Sequence, residues 1–127
     1  MYKKGIVLLA VCALLTIICV ACRIEVAPQV HGPTVHMGQT NFVQSSVNLQ
    51  KGEMLNLQDD VNSTHIITNG SWVNSVPHPA RKPGAPSVMQ TYSGAGQSVP
   101  VGPFNTAGTF YLYCTVHPGM NLTVIVQ

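Results

Sequence analysis

Gly108-Thr109-Phe110-Tyr111-Leu112-Tyr113-Cys114-Thr115-Val116-His117-Pro118-Gly119-Met120-Asn121-Leu122-Thr123-Val124-Ile125-Val126 is the stretch that decides the fold. Both of its arms alternate. Neighbouring side chains on a strand point to opposite faces, so Phe110, Leu112 and Cys114 share one face while Tyr111 and Tyr113 take the other. In the second arm Met120, Leu122, Val124 and Val126 fall together. Thr115 to Gly119, with Pro118-Gly119 inside it, reads as the connecting turn. The pattern predicts a hairpin whose inward register brings a thiol and a thioether to the rim of an apolar core, with His117 at the centre of the loop.

Upstream the chain continues as short strand-like runs separated by turn signals: Val35 to Val43, Ser46 to Leu49, Glu53 to Gln58, His65 to Asn69, Ser87 to Tyr92 and Gln97 to Val101. Runs at this spacing argue for an all-β sandwich or barrel. The composition agrees, with eleven glycines, nine prolines and only 8% charged residues in 127. That length holds one domain. Asn74 to Ser87 stands apart, because Pro77, Pro79, Pro83 and Pro86 exclude an interior strand. It reads as a surface loop with Arg81 and Lys82 solvated, and a docking element is its second reading.

The N-terminus has a different grammar. Lys3 and Lys4 precede an uninterrupted apolar stretch from Gly5 to Cys22, the form of an export signal. The ending Cys19-Val20-Ala21-Cys22 resembles a bacterial lipobox, with Cys19 where Leu is usual, and would make Cys22 a lipidated residue. An uncleaved membrane anchor and simple secretion after Ala21 are the alternatives. All three put the following domain outside the cytoplasmic membrane. Residues 23–33 read as a linker broken by Pro28, Gly32 and Pro33, and residues 34–127 as the domain. The formal charge of +2 comes from the two leader lysines, since four later bases meet four acids. A near-neutral domain offers no footing for nucleic acid.

With Cys12, Cys19 and Cys22 in the leader, Cys114 is the domain's lone thiol, and no internal disulfide framework is available. Cys114, His117 and Met120 form a soft, closely spaced donor set. A second imidazole on a distant strand would complete it, and His65 in Ser63-Thr64-His65-Ile66-Ile67 suits that role, with His36 as the substitute. Two His, one Cys and a weak axial Met are the ligands of a type 1 copper centre. Zinc would accept the same thiolate and imidazoles. His31 in the linker and His78 in the proline loop read as solvated. Met37, Met54 and Met89 read as gap-filling core, and Trp72 as either core or apolar rim. Asn62, Asn69 and Asn121 begin Asn-x-Ser/Thr sequons, but a lipobox-like leader argues against glycosylation.

On these residues the region 34–127 resembles a small cupredoxin of the plastocyanin/amicyanin type. The run from Gly108 to Cys114 is similar to that family's strand leading into its ligand loop, and Cys-x-x-His-x-x-Met matches the short amicyanin-like form of the loop. The resemblance implies a Greek-key β-sandwich and one copper ion bound by His65, Cys114, His117 and Met120. It also implies outer-sphere electron transfer through the exposed edge of His117, with Tyr113 at a position linked to a second docking route. The chain departs from the family at Ile66, where an Asn commonly ties the two ligand segments together. It departs again at Val116, where Pro commonly precedes the second His.

The expected function is one-electron carriage by a monomer that is tethered to the outer face of the cytoplasmic membrane and serves membrane-associated redox proteins. A copper carrier or store without redox duty is the alternative. An enzyme is not expected, because multicopper chemistry needs more His than the five present.

Overall fold

A computed structural model describes residues 31–127; the leader and most of the linker read from the sequence lie outside the described residues. Nine strands account for the architecture, and among the described residues there is no helix. They are β1 (His31–Met37), β2 (Ser46–Leu49), β3 (Met54–Asp59), β4 (His65–Val73), β5 (Val76–Pro79), β6 (Met89–Tyr92), β7 (Ser98–Val101), β8 (Gly108–Cys114) and β9 (Asn121–Val126). One sheet runs in the order β1-β3-β7. The other runs β2-β9-β8-β4-β5, with β6 also paired to β4. Each sheet mixes directions, since β1 runs parallel to β3 and β2 parallel to β9 while the remaining pairs are antiparallel.

Alternation explains the core. Leu55 and Leu57 of β3, with Val35 of β1 and Val101 of β7, form the buried face of the smaller sheet. Ile67, Phe110, Leu112, Leu122, Val124 and Val126 do the same for the larger, and all join a single cluster. A one-residue slip would turn either set to solvent, so burial fixes register. The pairings Leu112–Leu122 and Phe110–Val124 place the two predicted inward faces side by side. Cys114 and Met120 belong to this same cluster.

Besides Met89, read as core but 69% exposed, four features differ from the sequence reading. First, β1 opens at His31, inside the stretch read as linker, because His31 already pairs with Met54. Second, β1 ends at Met37 rather than Val43; the chain turns at Gly38–Asn41, and Phe42 returns to bridge Met37. Third, Tyr113 is buried although it faces away from the core, because Trp72 packs edge-on against it with ring centroids 5.9 Å apart.

Fourth, the proline segment contains a strand. β4 runs on past Asn69 to Val73, and Asn74-Ser75 turns it into β5 with φ of 49° and 62°. A two-residue turn with both central residues left-handed suits the twist of a hairpin, and Asn favours it. Trp72 lies opposite Pro77, and the Trp72 N–H and carbonyl are taken by Asn121 on the other side. The missing N–H of Pro77 therefore faces the open edge of the sheet, where proline is tolerated. Gly70 makes the close approach possible. Its φ is 130°, and a Cβ there would meet the His78 carbonyl. Nor is Lys82 freely solvated, since its ammonium donates to the Thr109 carbonyl at 3.1 Å and lies 4.6 Å from the centre of the Tyr111 ring.

All three sequon asparagines serve as backbone braces. Asn121 pairs with both polar groups of Trp72, and Asn62 accepts from the Ala95 N–H. Asn69 accepts from the Val88 N–H at 2.8 Å and donates to the Pro86 carbonyl at 3.1 Å. Asn69→Ala leaves the buried Val88 N–H unpaired and should cost about 1–3 kcal/mol. Urea unfolding of the metal-free protein measures this, and an unchanged midpoint would refute the bracing role.

Candidate metal centre

β4 and β8 are neighbours, and their register brings Ile67 opposite Cys114. His65, two residues before Ile67, shares its inward face, as the alternating burial of β4 records. Both chemistry-bearing side chains thus arrive by the rule that buries their apolar neighbours. His117 comes from the turn between β8 and β9. The Cys114 N–H donates to the Met120 carbonyl at 3.0 Å, and the Met120 N–H donates to the His117 carbonyl at 3.1 Å. Gly119, at φ 83°, permits the tight return.

Ile66 stands where the sequence resemblance implies a tying Asn. Its carbonyl accepts the Thr115 N–H at 2.8 Å, so here the backbone joins the two segments. Trp72 resolves as rim: it is half-buried, and its indole N–H donates to the Cys114 carbonyl at 2.7 Å.

The resulting cluster contains His65, Cys114 and His117, whose ligating atoms all lie within 4.8 Å of one another. Cys114 Sγ is 3.8 Å from His65 Nδ1 and 3.5 Å from His117 Nδ1. The two rings are tilted by 56° with centroids 4.9 Å apart. Metal–sulfur and metal–nitrogen bonds of about 2.3 and 2.0 Å, set about 120° apart, would separate S from N by about 3.7 Å. The observed spacings bracket that value, so each imidazole stands at the distance from the sulfur that a shared ion would require. His65 and Cys114 are fully buried, Met120 is 1% exposed, and His117 is partly exposed. The donor set is therefore dry on three sides and open at one imidazole.

His36 stands outside the cluster. It is half-exposed and bonded through Nδ1 to Asp60 at 2.8 Å, a pairing that holds the Asp60 carboxyl below its usual range. His78 is exposed on β5. Asp59, passed over in the sequence reading, lies beside the cluster. It is fully buried, with Oδ1 3.8 Å from His65 Nε2. The spacing Leu55-Leu57-Asp59 was the available signal, because it extends the inward register of β3 by one step.

Burial pushes the His65 pKa down, partly offset by the Asp59 charge and reinforced by the nearby His117. Neutral imidazole is the form that binds metal.

No family profile and no curated protein sequence matches the chain. Solved structures do. Amicyanin from Paracoccus versutus aligns over 81% of this chain and 86% of its own, at 20% identity and a TM-score of 0.57. The reduced Cu(I) form of an amicyanin point mutant, at pH 4, aligns over 81% and 87%, at 20% identity and a TM-score of 0.54. The chain has the cupredoxin fold. At this identity the likeness fixes the arrangement of the strands, while the chemistry rests on the cluster itself.

Two outcomes are expected. His65→Ala should abolish tight copper binding while His36→Ala leaves it intact, as read by equilibrium dialysis. In the metal-free protein, a lowered folded pKa means His65 contributes fully above its ordinary value of 6.5 and its contribution is lost as pH falls below that. Urea midpoints should therefore drop on acidification through that range, and a flat profile would contradict the burial argument.

Proposed function

We propose that this protein carries single electrons through a type 1 copper centre, on the outer side of the cytoplasmic membrane. One observation carries the reading: a buried thiol faced by two imidazole Nδ1 atoms at 3.5 and 3.8 Å, at one end of a cupredoxin fold. Copper held there would supply a one-electron couple, and thiolate with imidazole is a donor set that suits it. Met120, in the same buried cluster, would offer a further, weaker sulfur donor.

The chain's own residues supply the rest. Cys114 and His65 are anchored on paired strands, so their spacing stays fixed when charge changes, and little reorganisation accompanies each transfer. Cys114 is buried in one cluster with Leu112, Leu122 and Met120, away from water. His117 is the one cluster member that reaches solvent, and the neighbouring Val116 is 44% exposed. An apolar rim around an imidazole edge suits brief docking with redox proteins, and the near-neutral domain supports contact of that kind rather than strong charge steering. The basic-then-apolar leader, with Cys22 as a lipidation point, supports a tethered location, and partners associated with the same membrane follow from it.

Adding copper(II) to the purified protein should produce an intense visible thiolate-to-copper charge-transfer band that Cys114→Ser removes. Voltammetry should then give a reversible one-electron wave. A colourless adduct would sink the type 1 reading, and a coloured one without a reversible wave would sink the carrier role.

A further inference from the structure

β3 ends its inward face on an acid. Leu55, Leu57 and Asp59 alternate into the core, and Asp59 is as buried as the leucines before it. Its Oδ1 accepts the Val61 N–H at 3.1 Å, which closes the turn leaving the strand. Its Oδ2 has no partner. His65 Nε2 has none either, and among the described residues these are the only buried side-chain nitrogen or oxygen atoms so placed. The two groups lie on different sheets of the sandwich, yet Oδ1 is 3.8 Å from Nε2.

The ring's other nitrogen explains the arrangement. Nδ1 faces Cys114, so a neutral His65 ready to bind through Nδ1 must carry its proton on Nε2. That proton needs an acceptor, and a histidine ligand usually gives it to a carboxylate or a carbonyl. The Gly38 carbonyl is near enough to favour the protonated ring, and neither it nor Asp59 Oδ1 at 3.8 Å stands at full hydrogen-bonding geometry to Nε2. Asp59 is the acidic side chain within reach.

We infer that Asp59 is a positioning residue for His65: it accepts the Nε2–H hydrogen bond, holds the tautomer that leaves Nδ1 bare, and sets a fixed negative charge behind that ligand. This rests on the copper-centre reading above. A carboxylate in so dry a place acts at close range, and a negative charge favours the more positive oxidation state. It also makes the imidazole a stronger donor. Both effects stabilise copper(II) over copper(I), so Asp59 lowers the reduction potential.

The test uses the full chain with Asp59→Asn, which keeps an oxygen for the Val61 N–H, and Asp59→Leu, which removes the acceptor. In Asp59→Asn the charge-transfer band should persist, the midpoint potential should rise, and copper(II) affinity against a chelator should fall about ten- to hundredfold. A residue that only closed the turn would leave the potential where it is, so an unchanged potential overturns the inference. Long-range proton–nitrogen NMR of the metal-free wild type should find His65 protonated at Nε2, with the tautomers mixed in Asp59→Leu. Protonation at Nδ1 in the wild type would overturn it too. If the wild type never turns blue the copper reading falls, and the metal-free spectra still decide the role of Asp59.

Discussion

Three strands in fixed register, β4 beside β8 beside β9, are the constraint on which the rest of the molecule depends. Ile67 sits opposite Cys114, Leu112 opposite Leu122, and the Cys114 N–H reaches the Met120 carbonyl where the last two strands part. Strand geometry leaves each residue two directions, in or out. The burial of Phe110, Leu112, Leu122 and Val124 selects the inward direction for Cys114 and Met120 without any separate device. The binding chemistry is therefore a by-product of the packing register. A slip that spoiled the site would also expose the core, so stability guards the donor geometry.

The hairpin of β8 and β9 was legible because its period is strict and its turn is marked by Pro118-Gly119. His65 was legible for a related reason: it lies two residues before Ile67, on a run with the same alternation. What escaped notice did so for physical causes. β5 was missed because prolines argue against an interior strand, and only the three-dimensional arrangement reveals an edge where the missing N–H faces outward. The burial of Tyr113 depends on Trp72, forty-one positions earlier in the chain, and no local pattern reports such cover. Asp59 looked like one more surface acid in a balanced count, although its place in the Leu55-Leu57 register pointed inward.

The two departures from the family pattern that the sequence resembles have different fates. Ile66 gives up a side-chain tie but offers its own carbonyl to Thr115, so the joint between the ligand segments passes to the main chain and no longer depends on the side chain at position 66. Val116 replaces a rigid proline with an exposed apolar side chain beside His117. The loop is instead held by the hydrogen bond from the Met120 N–H to the His117 carbonyl, in a return that Gly119 permits.

Trp72 is the only tryptophan in the chain, and its indole N–H is bonded to the peptide carbonyl of Cys114. Indole emission responds to hydrogen bonding and to absorbers close by. The protein thus carries a single indole fluorophore, bonded to the backbone of one residue of the donor cluster. Any loosening of the β4–β8 junction, or any metal taken up by the cluster, would act close beside it. The brace that seals the rim is at the same time an optical gauge of what the rim encloses.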